Sequence, residues 1–150
     1  ARLYGLCKSI GQDWDNIHPA LNARALLLAT INRESHIIGP AVLADQLRRR
    51  GHSVHLHSNA SASSIREKIS QDRFDGLLLS VSSLQTLESA VEVIREIRKI
   101  RNAPLIVLGG AVLNENGIDV SQTGADMITN DIDSALDAMT GDDIKLRVAE

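Results

Sequence analysis

Arg24-Ala25-Leu26-Leu27-Leu28-Ala29-Thr30 is a nearly unbroken apolar run, and four residues later the chain reads Glu34-Ser35-His36-Ile37-Ile38-Gly39. A helix-like amphipathic run over 40–50 follows directly. A short continuous apolar run reads as a strand covered on both faces, and the longer amphipathic run reads as the helix that covers it. An acid, a histidine and a glycine therefore fall in the first strand-to-helix loop of an α/β pattern. Open parallel sheets bind ligands at that edge.

The same alternation continues along the chain. Further strands are predicted over 53–57, 76–82, 105–108 and 126–129. The run at 76–82 and the one at 105–108 are rich in Leu, Ile and Val, as central strands are. In 53–57, His55 and His57 alternate with Val54 and Leu56, the pattern of a half-exposed or edge strand. Between the strands lie helices. Pro40 suits a first helical position, and Gly51 after Arg48-Arg49-Arg50 is a stop. Ser63 or Ser64 is expected to cap a second helix ending near Gln71. Leu84, Leu87, Val91, Ile94 and Ile97 recur every three or four residues and mark the third. A short helix over 118–123 ends at Gly124, and Asp131 caps a fifth through about Met139.

Five strands alternating with five helices imply an α/β, doubly wound parallel sheet with right-handed crossovers. The expected order is flavodoxin-like (Rossmann-like), 2-1-3-4-5. Residues 1–22 stand apart as a leader or the remnant of a preceding domain, and 143–150 as a tail, leaving a domain over 23–142. If the leader is helical, Trp14 and His18 share one of its faces.

Composition narrows the chemistry. The 150 residues are 43% hydrophobic and carry a net charge of −3, which suits one domain with a substantial core. Cys7 is the sole cysteine, so no internal disulfide forms, and a cytoplasmic location is expected. No apolar run is long enough to cross a bilayer. Mild acidity and only three aromatics (Tyr4, Trp14, Phe74) speak against nucleic-acid binding. There is no Gly-x-Gly-x-x-Gly and no phosphate-binding Gly-x-x-x-x-Gly-Lys loop. A phospho-acceptor receiver would need acids where Thr30-Ile31-Asn32 and Ser80 stand. His52, His55 and His57 lack a nearby Cys or a clearly placed carboxylate and read as a polar strand face rather than a metal site.

Three loops are expected on one rim of the sheet. The first carries Glu34, His36 and Gly39; the third strand ends in Ser80-Val81-Ser82-Ser83; the fourth ends in Gly109-Gly110-Ala111. Small residues after two central strands leave room for a bulky ligand, and the serines offer hydroxyls. Histidine presents one nitrogen to a metal while a carboxylate holds the other.

In this order the three signals resemble the cobalamin (vitamin B12)-binding domain, whose pattern is D-x-H-x-x-G, then S-x-L, then G-G. The likeness spans 23 to about 140. It implies that His36 is the axial ligand to the metal and Glu34 its hydrogen-bond partner. Gly39 would let the nucleotide tail pass, Ser80 would contact the displaced dimethylbenzimidazole, and Gly109 and Gly110 would flank the tail. Thr86 would supply a second hydroxyl. Glu34 stands where the family usually has Asp, one methylene shorter, and Ser82 replaces the leucine of S-x-L.

The glutamate is similar to that of regulatory members acting as antirepressors of photosynthesis genes, and a related sensor branch carries haem. The resemblance thus implies a non-catalytic cobalamin- or haem-binding sensor domain of a light- or redox-responsive transcriptional regulator. Its partner would be a regulatory protein such as a transcriptional repressor, with no direct nucleic acid or membrane contact. The opposing class is a corrinoid carrier subunit of a B12-dependent methyltransferase or mutase. No acid/base or nucleophilic constellation occurs in the chain itself.

Overall fold

The structure is a computed structural model that describes residues 23–31, 36–115 and 117–139. Glu34, Cys7, Trp14, His18 and the expected leader and tail lie outside them. Five strands form one parallel sheet: β1 (Ala25–Ile31), β2 (Ser53–Ala60), β3 (Gly76–Ser80), β4 (Leu105–Gly109) and β5 (Met127–Ile128), in the order β2-β1-β3-β4-β5. This is the expected doubly wound, flavodoxin-like arrangement. The helices are α1 (Ile38–Arg49), α2 (Ala62–Gln71), α3 (Leu84–Arg98), α4 (Val120–Thr123) and α5 (Ile132–Ala138). A 3₁₀ turn over Ala111–Asn114, not expected from the sequence, follows β4.

Strand register explains why the central runs are apolar throughout. Leu27 pairs with Leu77 and Leu77 with Ile106, a row that faces one side of the sheet. There it packs with Ile65 of α2 and with Ala90, Val93, Ile94 and Ile97 of α3. The next row, Leu28, Leu78 and Val107, faces the other side with Ala44 and Leu47 of α1 and Ala135 of α5. Both faces are thus dry, and most of these side chains are wholly buried. β2 is an edge strand with alternating exposure, as its histidines imply.

Some boundaries move for local reasons. Ser61, not Ser63 or Ser64, caps α2: its extended backbone lets Oγ accept from Ser64 N at 3.1 Å, while Ser64 Oγ accepts from Ser61 N at 2.9 Å. α1 starts at Ile38, so Pro40 is its third residue, still within the turn whose N–H groups have no intrahelical partner. β3 stops at Ser80, short of the expected Ser82, and β5 keeps only two of four expected residues. Among the described residues no helix is long and apolar enough to cross a membrane.

Candidate functional site

A cleft of about 360 Å³ opens at the carboxyl edge of the sheet, between the strands and helices α1 and α5. Its volume falls within the range of small-molecule sites, about 300–1,000 Å³. Leu28, Leu78 and Val107 form the apolar floor, and Ser80 and Gly109 continue it to the rim. Gly39, Pro40 and Leu43 make one wall, Ile132 and Ala135 the other. Arg50, just past α1, reaches Asp133 of α5 at 2.6 Å. The mouth carries His36, Ser82, Thr129, Asn130 and Asp131.

Of the expected site residues, His36, Gly39, Ser80, Ser82, Gly109 and Gly110 all border this one cleft. His36 is exposed on the loop that follows β1. Thr86 does not line the cleft. Its hydroxyl donates to Ser83 O at 3.1 Å and its N–H to Ser83 Oγ at 3.3 Å, so it completes the cap of α3.

The three glycines differ in what they are for. A Cβ on Gly39 would meet nothing within 4 Å. Glycine within a helix is unfavourable by up to about 1 kcal/mol relative to alanine. No neighbouring atom accounts for that cost, and a side chain there would occupy open space at a residue that borders the cleft. Gly109 and Gly110 are required by the fold itself. A Cβ on Gly109 would sit 2.8 Å from Thr129 O, and Gly110 adopts φ +112 with its Cβ position against Val81 O.

Asn130 escaped the sequence reading because its partners are remote in the chain. Its Oδ1 accepts from Gly110 N at 2.7 Å and its Nδ2 donates to Gly110 O at 3.1 Å. The signal that could have found it is its position, directly after the last strand and directly before the Asp131 cap. Asp131 Oδ1 accepts from Asp133 N at 3.1 Å, and its Oδ2 from Ser134 Oγ at 2.8 Å. The Ser134 hydroxyl chiefly holds the Asp131 carboxyl below its ordinary range.

Among the described residues, His52, His55 and His57 lie away from the cleft. His52 Nδ1 accepts from Arg24 N at 3.0 Å, and burial, aided by Arg24 and Arg50, lowers its pKa. His57 Nε2 is 3.0 Å from Ser64 Oγ, and its ring lies 6.2 Å from that of His55. Burial is also the main cause that lowers the His55 pKa. Among the described residues no group of three or more His, Cys, Asp or Glu side chains is arranged to hold a metal ion.

Comparison with known proteins agrees with this fold. The family model described as B12 binding domain matches residues 24–139. The chain is 29% identical over 112 residues to an uncharacterized 20.5 kDa protein of the bchF–crtJ intergenic region of Rhodobacter capsulatus, covering 74% of this chain and 58% of that protein. Among solved structures, a cobalamin-binding protein from Desulfitobacterium hafniense superposes with a TM-score of 0.65 at 18% identity, over 79% of this chain and 59% of its own. The monomethylamine corrinoid protein of Methanosarcina barkeri gives 0.66 at 13% identity, over 89% of this chain and 61% of its own. This chain thus spans about 60% of the length of each of these three proteins.

Proposed function

This chain belongs to the B12-binding domain family, and from that premise we propose that its rim cleft takes the nucleotide tail of a corrinoid while His36 ligates the cobalt at the mouth. The observation that carries this reading is Gly39, a helical glycine with open space where a side chain would be. A deep slot between sheet and helices suits a ligand with a long arm. Haem, the other metal tetrapyrrole a loop histidine could hold, has no such arm, and the family favours the corrinoid.

Each residue then has a task. Leu28, Leu78 and Val107 offer apolar surface to the base of the tail, and Ser80 and Ser82 offer hydroxyls to its polar groups. His36 donates a ring nitrogen to the metal, and Glu34, which precedes it by two residues, accepts from the other nitrogen and fixes the tautomer. When bound, the corrinoid would supply a metal centre sensitive to light or redox state. Within a transcriptional regulator, such a domain reports on that state by changing how its rim meets a partner protein such as a repressor. The position of one relative in the bchF–crtJ intergenic region is consistent with this sensor reading.

The test is spectral titration with hydroxocobalamin and, separately, haemin, followed by gel filtration. A corrin spectrum that co-elutes with the protein is expected, with no Soret shift from haemin. His36→Ala should shift that spectrum and weaken binding by more than the about 10–100-fold lost when a ligand's hydrogen-bond partner is removed. Its melting temperature should hold, because the ring is exposed. Methyl transfer through the loaded domain at a catalytic rate would overturn the sensor assignment in favour of a carrier.

A further inference from the structure

We infer that Asn130 is a positioning residue whose side-chain amide sets the mouth of the cleft, by clamping the Gly110 peptide to the start of α5. The inference rests on the corrinoid reading for its effect on binding, and on geometry alone for the clamp.

β5 is short, pairing with β4 only through Val107–Met127 and Leu108–Ile128. The backbone adds Asp126 N to Ile106 O at 2.9 Å before the strand and Thr129 N to Leu108 O at 3.0 Å after it. Beyond that point Asn130 takes over: its amide accepts from Gly110 N and donates to Gly110 O, as a ladder partner would. An amide has one acceptor and one donor group side by side, and both are matched to the backbone N–H and C=O of a single residue. Asn130 is itself fixed, because Asp131 N donates to Thr129 Oγ1 at 2.9 Å and Asp131 caps α5.

The clamp ties two elements that bound the cleft. The residues that flank Gly110 are joined to the loop after β3, through Val81 N to Gly109 O at 2.9 Å and Val112 N to Val81 O at 3.1 Å. α5 supplies Ile132 and Ala135 to the cleft wall. Without the amide, the loop after β4 and the start of the helix that faces it lose this paired side-chain link at the rim. The cleft would then have to be ordered by the ligand, at a cost in affinity.

The experiment compares the chain with Asn130→Ala and Asn130→Asp, reading hydroxocobalamin affinity, melting temperature and hydrogen exchange of the Gly110 amide without ligand. Aspartate keeps the size and one acceptor but turns its second oxygen toward Gly110 O, so an electrostatic clamp fails while a space-filling one survives. In both variants Gly110 should exchange faster and affinity should fall about tenfold, the worth of one or two hydrogen bonds. Melting should change little, since the side chain is exposed. Wild-type affinity in either variant would overturn the positioning role. If the unsubstituted chain binds no hydroxocobalamin, the corrinoid reading fails by itself. Gly110 exchange then decides the clamp: slow only in the unsubstituted chain upholds it, equal in all three overturns it.

Discussion

Gly39 separates what the fold requires from what a ligand requires. Since nothing within 4 Å would touch a Cβ there, Gly39→Leu should leave urea stability unchanged or raise it by up to about 1 kcal/mol. The same change should block hydroxocobalamin uptake, because the added side chain enters the cleft. Stability lost together with binding would mean that the glycine is structural. His52 makes the opposite case of a histidine that lies away from the cleft. Its pKa is lowered by burial and by two arginines, so the folded state favours the neutral ring. Its contribution to stability is complete above the unfolded pKa of about 6.5 and is lost as pH falls through the lower folded value. The melting temperature should therefore decline below pH 6.5, and less steeply in His52→Gln, which keeps an acceptor for Arg24 N without a titratable ring. An equal slope in both proteins would remove His52 from the acid response. The sequence marked His36, Gly39 and the Gly109-Gly110 pair as a set. It could not distinguish an open glycine from two crowded ones, because that depends on Val81 and Thr129, whose nearness is a tertiary fact.

Among the elements, α2 shows how a run of serines conceals its cap. Ser61, Ser63 and Ser64 are chemically alike, and sequence reasoning chose from the last two. The backbone of Ser61 is extended, and its Oγ and that of Ser64 form a reciprocal box. Ser61→Ala should cost about 1 kcal/mol in urea unfolding. Ser63→Ala should cost almost nothing, because its exposed hydroxyl meets only Ser61 Oγ at 3.1 Å. Equal losses would mean that the cap is shared. By contrast, α3 was legible as a helix from its apolar spacing, but only part of its buried face was: Ile94 and Ile97 are buried as expected, Leu84 at the first turn is exposed, and Ala90 and Val93 take the remaining buried positions. β5 was the least legible strand. Two ladder pairs are too few to leave a periodic signature, and the side chain of Asn130 does part of the pairing.

For the molecule as a whole, the cleft links folding to binding. A ligand that binds the folded state alone stabilises it by about 2.7 kcal/mol at a hundredfold excess over its Kd. Saturating hydroxocobalamin should therefore raise the melting temperature of this chain, and the rise should vanish in Gly39→Leu. A melting temperature indifferent to the ligand would sink the corrinoid reading however well the fold matches. The strand order and the two-faced core follow from the sequence by itself. Apolar runs such as 77–79 and 105–108 can be stable only with helices on both faces, and right-handed crossovers leave few ways to arrange them. The membership of the rim, with His36, Ser80 and Gly109 brought to one edge, follows from that topology as well. The cleft itself was decided only by tertiary structure. Its walls are residues of α1 and α5, Gly39, Pro40 and Leu43 on one side and Ile132 and Ala135 on the other. Its mouth depends on an amide that reaches Gly110 across twenty residues of chain, and hydrogen bonds at that separation leave no local pattern to read.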